Sequence, residues 1–400
     1  MTNPPNDSPT KQDTVPFTLW ELVKYFLWLG ATGFGGPIAL IGYMQRDLVE
    51  QKRWYSHGDY LHGMALAQLC PGPLASQLAI YLGWLKFGIK GASSVVIALT
   101  LPSFGMVLIM ASIYIHFGSL AWMQGAFYGI GASVIAIIAR SGLQFVKITV
   151  DRTLFLILIC LTSTLLTLYY KAPFMGAIVL NGIIYMVITS PPKFLTRFIH
   201  RVTTKTRPPS LLLFPSWLLT GINTPASEGI LLKLLGYFSW AGAFLFGSGL
   251  AIIPFLNKGV VEDYHWLTQQ HFLDAVAIGL ITPGPALITV AFIGFLVAGF
   301  MGATVATIGI FFPSYAIIIT IAPHYRRIIK NHSVQTFVKG VTSAIAGSII
   351  ASVLMLGQKA IVDVYTVLIF LGSGVLLYGF KKIPEPMIIV AAGVIGVILR

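Results

Sequence analysis

The sequence predicts an all-helical integral membrane protein that crosses the bilayer several times and contains two homologous repeats. Hydrophobic residues make up 56% of the 400 residues and charged residues only 10%, whereas soluble domains carry about 25% charged residues. Apolar stretches near or above the roughly 18 residues that cross a bilayer recur from about residue 17 to residue 399. Lipid requires internally satisfied backbone hydrogen bonds, and no alternating barrel pattern is present, so these stretches are predicted to be helices.

The repeat is visible as glycine, proline and tryptophan residues that recur in one register. Gly30 and Gly242 define a shift of 212 residues. The matched residues of the first copy are Gly30, Phe34, Gly35, Val49, Glu50, Trp54, Pro71, Gly72 and Pro73. Their counterparts are Gly242, Phe246, Gly247, Val261, Glu262, Trp266, Pro283, Gly284 and Pro285. This many coincidences in one register indicates two copies of one unit.

Four regions follow from this pattern. The polar, proline-rich head over residues 1–16 is predicted to be a disordered cytosolic tail. An N-terminal repeat over 17–190 and a C-terminal repeat over 230–400 flank a basic cytoplasmic linker over 191–229. Each repeat divides into six apolar segments. They are 17–44, 61–89, 92–116, 121–146, 153–170 and 173–190, then 230–256, 271–297, 300–323, 337–357, 360–380 and 383–399.

Loop charges indicate how the repeats face the membrane. The net charge of +13 comes largely from basic residues in short loops, where it orients the chain and does not indicate nucleic-acid binding. If segments alternate in direction, ten basic residues of the first half and linker lie on one side, and four lie on the other. The ten are Lys86, Lys90, Arg140, Lys147, Arg152, Lys193, Arg197, Arg201, Lys205 and Arg207. Those four are Arg46, Lys52, Arg53 and Lys171. In the second half, seven basic residues lie in or beside the loops that correspond to the outer loops of the first half, so this half satisfies the positive-inside rule only if it is inverted. They are Lys258, Arg326, Arg327, Lys330, Lys339, Lys381 and Lys382.

Inversion requires an odd number of crossings between equivalent points of the two repeats. Either the apolar piece 211–222 of the linker crosses, or one segment in each half is re-entrant. These alternatives correspond to about thirteen and about ten crossings, and the sequence leaves both open.

Two helix breaks recur in each half, and they are the predicted substrate site. Proline removes a backbone donor and clashes with the preceding turn, so these clusters interrupt their helices. Paired broken helices in inverted repeats are typical of a transporter site near the middle of the membrane, where half-helix N-termini bind anions. The residues are Gly33, Gly35, Gly36, Pro37, Pro71, Gly72 and Pro73, then Gly247, Ser248, Gly249, Pro283, Gly284 and Pro285.

Several polar residues are further candidates. Gln68 and Gln77 flank the first Pro-Gly-Pro and are predicted to donate to an oxyanion or to hydrogen-bond between helices. Arg46 and Arg53 are candidates for the mouth of a cavity, although acidic neighbours favour a solvated loop. Asp274 is the candidate for proton coupling, against placement at the membrane interface.

Other classes of function find little support in the sequence. The eight histidines lack metal-ligand spacing, and no phosphate-binding loop or catalytic motif is present, so no cofactor, metal or ATP is predicted. Cys70 and Cys160 are predicted to be small buried hydrophobes.

The break motifs together resemble those of the bacterial chromate ion transporter family, in its long two-domain form. The first-half residues that carry the resemblance are Gly33-Phe34-Gly35-Gly36-Pro37, Arg46-Asp47-Leu48-Val49, Arg53-Trp54, Pro71-Gly72-Pro73, Gln77, Gly83 and Leu101-Pro102-Ser103. Those of the second half are Phe246-Gly247-Ser248-Gly249, Trp266 and Thr282-Pro283-Gly284-Pro285. One departure concerns Leu40 and Ile41, which stand where the family often has a polar residue.

The resemblance implies a multi-pass protein of the bacterial inner membrane that exports chromate with the proton gradient, with sulfate as a structural mimic. The expected partners are an inorganic oxyanion, membrane lipid, H+ and a second copy in a homodimer. The alternatives are a transporter of sulfate or another inorganic anion, and an anion channel.

Overall fold

The structure is a computed structural model of the 400-residue chain. It describes residues 14–34, 36–117, 120–150, 153–170, 175–190, 228–245, 252–324, 331–379 and 384–399. The predicted linker falls outside these residues except for its last two positions, as does the predicted tail except for residues 14–16. The regular structure of the described residues is helical throughout, as predicted.

The two repeats contain the same series of helices. In the first repeat these are α1 (Leu19–Thr32), α2 (Gly36–Met44), a π-helix (Gln45–Gln51), α3 (His57–Leu69), α4 (Leu74–Phe117), α5 (Ala121–Thr149), α6 (Leu154–Tyr169) and α7 (Met175–Thr189). In the second they are α8 (Glu228–Ala243), α9 (Ile253–Asn257), a π-helix (Lys258–Asp263), α10 (Gln269–Ile281), a 3-10 turn (Ala286–Ile288), α11 (Thr289–Ile321), a 3-10 turn (Ala322–His324), α12 (His332–Ala360), α13 (Val364–Gly379) and α14 (Glu385–Leu399).

Local sequence accounts for several helix starts. Thr18 and Glu21 form a reciprocal capping box at α1. Ser56 caps α3 and Thr268 caps α10, so these caps occupy matching positions of the two repeats. Four helical stretches in the described part are long and apolar enough to cross a membrane: Leu74–Phe117, Trp122–Lys147, Ala286–His324 and His332–Ala360.

The first apolar segment of each repeat is a helical hairpin. Phe17 stacks on Trp54 with ring centroids 4.6 Å apart, and the Tyr25 hydroxyl donates to Asp47 Oδ2 over 3.2 Å. The chain therefore turns back at the glycines between α1 and α2. In the second repeat Tyr237 closes the matching hairpin by donating to the carbonyl of Phe255 over 2.7 Å. The glycine cluster predicted to interrupt segment 17–44 therefore reverses the chain, so this segment returns to the end of the bundle where it began.

The second apolar segment of each repeat also turns back, at its Pro-Gly-Pro. A Cβ on Gly63 of α3 would contact Tyr81 in the first limb of α4, and one on Gly279 of α10 would contact Thr289. The limbs of each hairpin thus lie side by side, with Gly72 and Gly284 at their tips. Both hairpins of each repeat are therefore re-entrant, whereas the sequence analysis allowed for one. With four crossings left in each repeat, an inverted second half also needs the linker to cross, and the linker piece 211–222 lies outside the described residues.

The helix after each Pro-Gly-Pro bends once more. Gly88 has φ +60° within α4 and Gly299 has φ +61° within α11, both in a region that favours glycine. Across each bend a glycine packs on a later glycine, Gly83 on Gly91 and Gly294 on Gly302, so the chain folds back tightly at both places.

Equivalent helices of the two repeats run antiparallel. The second limbs of α4 and α11 cross with Ser93 2.6 Å from the Tyr315 hydroxyl, and the rings of Phe104 and Phe300 lie 6.2 Å apart. Residue numbers thus rise along one limb and fall along the other. In the same way, Gly142 of α5 faces Ile349 of α12, and Ile135 faces Gly357. A two-fold axis that makes equivalent membrane helices antiparallel lies in the plane of the membrane, so the repeats are inverted, as predicted.

The hairpins change the predicted positions of several basic residues at the ends of the bundle. Arg46, Lys52 and Arg53 follow the first hairpin back to the end where Lys86 lies 5.8 Å over the ring of Tyr55. Their predicted placement opposite Lys86 is wrong, because the first segment does not cross.

In the second repeat Lys258 was predicted to lie on the same side as Lys339. Lys258 instead pairs with Asp263 over 3.7 Å, and the neighbouring Glu262 pairs with Lys359 over 3.6 Å. Lys359 is twenty residues beyond Lys339 on α12, or about 30 Å along a helix. Lys258 therefore lies at the opposite end of the bundle, because the hairpin returns it there.

Candidate functional site

Hairpin tips of the two repeats meet and exchange backbone hydrogen bonds. The Gly284 N–H donates to the carbonyl of Gly33 over 2.8 Å, and the Gly72 N–H donates to the carbonyl of Leu245. Gly33 and Leu245 are equivalent in the repeat register, so the two bonds are related by the two-fold axis. Each Pro-Gly-Pro tip therefore holds the first hairpin of the opposite repeat.

The described residues include only part of this predicted site. Gly33, Gly36, Pro37 and both Pro-Gly-Pro tips are described, whereas Gly35, Gly247, Ser248 and Gly249 lie outside the described residues.

Glycine is required at both Pro-Gly-Pro tips. Gly72 has φ +142° and Gly284 has φ +101°, values that side chains rarely adopt. A Cβ on Gly72 would overlap the Gln77 side chain and the Ser314 hydroxyl. A Cβ on Gly284 would overlap the Ser103 hydroxyl and lie 3.0 Å from the carbonyl oxygen of Gly30. Each tip therefore lies directly against the opposite repeat.

The two predicted glutamines differ in role. Gln77 is fully buried, and its Nε2 donates to the carbonyl of Pro71 over 2.6 Å and to that of Cys70 over 3.4 Å. These bonds stabilise the first Pro-Gly-Pro tip. Gln68 is exposed on α3 and does not line the cavity between the tips.

Buried polar atoms without partners surround the first Pro-Gly-Pro tip. Within the described residues, Gln77 Oε1, the Ser76 hydroxyl and the Ser314 hydroxyl are buried and make no hydrogen bond. Buried polar groups are almost always paired, so unpaired groups next to Gly72 indicate a place where a ligand or ordered water completes the bonding.

A small cavity lies between the tips of the two repeats. Its lining includes Gly33, Phe34 and Gly36 from the first hairpin and Thr282 and Gly284 from the second Pro-Gly-Pro. The cavity volume is about 20 Å³, which accommodates about one water molecule and no tetrahedral oxyanion. The tips are therefore closed against each other in this conformation.

The same cavity is lined by a carboxylate that the sequence analysis missed. Glu385, the first residue of α14, pairs with Arg140 of α5 over 3.7 Å between Oε1 and Nη1. The sequence predicts Arg140 only as one of the basic residues that orient the chain, and it predicts no role for Glu385. Arg140 lies inside the predicted segment 121–146 and Glu385 inside 383–399, and those positions were the available signal.

Asp274 is buried on α10, ten residues before the tip glycine Gly284. Its carboxylate accepts from the Tyr114 hydroxyl over 2.6 Å and from Gln270 Nε2 over 2.9 Å. Among the described residues it forms no ion pair. Asp274 thus lies inside the protein but away from the tips.

The two arginines proposed for a cavity mouth lie at the base of the first hairpin. Arg46 is half exposed, and its Nε lies 2.8 Å from Asp47 Oδ1. With Lys24 and Lys52 it lines an open groove of about 490 Å³. Arg53 has φ +52° and is exposed. Neither arginine reaches the tips.

The cysteines behave as predicted, since Cys70 and Cys160 are both buried and free.

Comparisons with known proteins match nearly the whole chain. The model of the chromate transporter family matches residues 20–187 and 232–397, one region in each repeat. The chromate transport protein of Cupriavidus metallidurans is 45% identical over 383 residues, which cover 96% of this chain and 93% of that protein. The probable chromate transport protein of Synechococcus elongatus is 44% identical over 383 residues, 96% of each chain. An uncharacterized transporter of Methanocaldococcus jannaschii is 28% identical over 379 residues, 94% and 92% of the two chains. No solved structure matches the chain.

Proposed function

Because the chain belongs to the chromate transporter family, we propose that it is a secondary transporter that exports chromate across the bacterial inner membrane. The observation that carries the proposal is the meeting of hairpin tips from the two inverted repeats. The bonds from Gly284 to Gly33 and from Gly72 to Leu245 join the hairpin tips of one repeat to those of the other at each point of contact. Such a point is where inverted-repeat transporters bind their substrates.

The helix ends at the tips suit an anion. α2 begins at Gly36 and α4 at Leu74, so their first-turn N–H groups point toward the tips. The carbonyls that end α1 and α8 are partly neutralised, because Gly33 and Leu245 already accept hydrogen bonds. The N–H groups therefore remain for an oxyanion such as chromate.

Transport requires the closed tips to separate. A cavity of about 20 Å³ cannot hold chromate, so the hairpins of one repeat must move away from those of the other to admit it. The two bonds between tips are related by symmetry, and opening on either side breaks the same kind of contact. This arrangement fits alternating access, in which one repeat rocks against the other.

The end that carries Arg46, Lys52, Arg53 and Lys86 faces the cytoplasm by the positive-inside rule. Asp274 is the group proposed to carry the coupling proton, because its partners Tyr114 and Gln270 are neutral and a buried carboxylate without a cation can hold a proton.

Reconstitution in liposomes tests the function. We expect chromate counterflow by the purified protein, with strong competition by sulfate and weak competition by monovalent perchlorate, because N–H groups and dipoles favour the dianion. Competition by molybdate and by phosphate shows how the transporter's preference for these oxyanions compares with its preference for chromate. Preference for sulfate over chromate would make the protein a sulfate carrier, and conduction without counterflow would indicate a channel.

The proton step has its own test. Asp274→Asn keeps the size of the side chain but removes the proton site; its NH2 group replaces one acceptor oxygen, and the Gln270 amide can rotate to accept from it. We expect gradient-driven transport to fall about 10-fold or more, while chromate exchange at equal pH continues. Equal loss of both activities would contradict a role in proton coupling.

A further inference from the structure

The ion pair between Arg140 and Glu385 lies beside the closed cavity at the hairpin tips. The two side chains are each 20% exposed, and 3.7 Å separates Nη1 from Oε1. Glu385 lines the cavity together with Gly33 and Gly284. Among the described residues of that lining, it alone carries charge. A charged pair therefore adjoins the place where the substrate is proposed to bind.

Arg140 lies at the depth of the two-fold axis. On α5 it falls between Ile135, which faces Gly357, and Gly142, which faces Ile349. These contacts bracket the crossing of α5 with its equivalent helix α12, and such a crossing marks the axis that relates the repeats. Charged side chains in the middle of a membrane are expensive and mark substrate or ion pathways.

The pair is not what holds α5 against α14. A Cβ on Gly129 would overlap the Ala392 carbonyl, and one on Gly125 would lie 3.2 Å from the Gly396 carbonyl oxygen, so the two backbones are in direct contact further along. The ion pair itself is looser than the about 2.7–2.9 Å of a strong charged hydrogen bond. Helix packing therefore survives without the pair, and the pair can separate.

We propose that Arg140 is the cationic ligand of the transported oxyanion, and that Glu385 is the carboxylate that occupies Arg140 while the tips are closed. The inference rests on the proposed function. Backbone N–H groups at the tips are neutral, and a dianion in the membrane needs a positive partner. A guanidinium fork binds two oxygens of a tetrahedral oxyanion as it binds a carboxylate, so the incoming dianion can displace Glu385 from Arg140.

Equilibrium chromate binding to the purified full-length protein tests this exchange. We expect Arg140→Gln to weaken affinity roughly 10- to 100-fold, the scale of a hydrogen bond to a charged group. Arg140→Lys keeps the positive charge but not the two-pronged guanidinium, so it should lose less affinity for chromate than Arg140→Gln. Glu385→Gln removes the competing carboxylate and should tighten binding about 5-fold. Lys147→Gln is the matched control, because Lys147 lies two turns further along α5 and is exposed; its affinity should not change.

The double variant Arg140→Gln with Glu385→Gln separates binding from a structural role. It leaves no unpaired charge, so a purely structural pair would regain the affinity of the unchanged protein, and that result would overturn the proposal. Under the proposal the double variant binds as weakly as Arg140→Gln, with a thermal midpoint near that of the unchanged protein. Equal weakening by Glu385→Gln and Arg140→Gln would also overturn it. Absence of both chromate and sulfate binding by the unchanged protein would instead overturn the proposed function.

Discussion

The first and second repeats close their hairpins with the same bonds but differ in where they carry charge. Gly72 and Gly284 occupy equivalent tips and each donates to the opposite repeat. Yet Asp274 of the second repeat corresponds to His62 of the first, and Arg140 of the first corresponds to Ala351 of the second.

The helices α7 and α14 differ in the same way. α7 begins at Met175, whereas α14 begins at Glu385. Glycine and proline thus fix the shared scaffold, whereas single charged residues break its symmetry. The asymmetry is what gives one site a direction and a charge, because a perfectly symmetric site would present the same chemistry to both sides.

Thiol labelling tests the inversion of the repeats. Gln51 and Asp263 are equivalent, exposed residues at the ends of the two first hairpins. In a variant with Cys70→Ala and Cys160→Ala, a cysteine at position 51 should be shielded from an impermeant thiol reagent outside intact cells. A cysteine at position 263 should be labelled, so the contrast is all-or-none. Labelling of both from outside would contradict the antiparallel arrangement of α4 and α11.

The equivalence of the two tips is tested by alanine. Gly72→Ala and Gly284→Ala place a Cβ into Ser314 and Ser103 respectively. We expect transport per folded molecule to fall on the order of 100-fold in either variant, or roughly 2.7 kcal/mol. Reconstituted flux divided by the amount of monodisperse protein is the measurement. A loss in only one variant would show that the tips are not equivalent in transport.

Gly88→Ala and Gly299→Ala provide matched controls for the tip glycines. Both positions have positive φ, but a Cβ there meets open space. The backbone strain should lower stability by about 1–2 kcal/mol without blocking the site. Transport losses as large as those of the tip variants would show that strain, and not close contact, explains the tips.

The sequence predicted the breaks because proline and glycine act locally. It did not predict that Pro71-Gly72-Pro73 turns the chain back, since a break shows where a helix stops and not where the next one points. The segment 17–44 is long enough to cross, and its reversal is shown by long-range contacts, among them Phe17 with Trp54 and Tyr25 with Asp47. The pairing of Arg140 with Glu385 joins residues far apart in the chain, and no local pattern encodes such a contact.

Two equivalent serines offer a finer comparison of the repeats. Ser103 donates to the carbonyl of Gly30 over 3.1 Å, whereas the buried hydroxyl of Ser314 makes no hydrogen bond within the described residues. Ser103→Ala should lower the free energy of unfolding by about 1 kcal/mol, and Ser314→Ala should leave it nearly unchanged. If the Ser314 hydroxyl serves the substrate, Ser314→Ala should weaken chromate affinity about 5-fold. The measurements are the free energy of unfolding and the chromate affinity of both variants. Weaker chromate binding by Ser103→Ala, with unchanged binding by Ser314→Ala, would assign the substrate contact to Ser103.

The smallest expected difference lies at two matching helix starts outside the membrane-spanning segments. Asp363 caps α13 by accepting from the Thr366 backbone N–H over 2.9 Å, and it also accepts from the Tyr128 hydroxyl. Thr153 precedes α6 at the corresponding position but makes no side-chain cap bond. Asp363→Ala should therefore lower the Tm by about 1–2 °C at pH 7, and Thr153→Ala should not.

Low pH should remove the difference in Tm effect between the substitutions at the starts of α13 and α6. The Tyr128 hydroxyl, followed by the Thr366 backbone N–H, holds the pKa of the Asp363 carboxyl below its usual range. A carboxylate with a lowered folded-state pKa stabilises the fold above its unfolded pKa of about 3.9, and the contribution is lost as pH falls through the folded value. The Tm gap between the unchanged protein and Asp363→Ala should thus be constant from pH 7 to about pH 5 and shrink below about pH 4. Thermal melts of both proteins across this range provide the measurement, and a gap that widens in acid would show that the Asp363 carboxylate does not stabilise the start of α13.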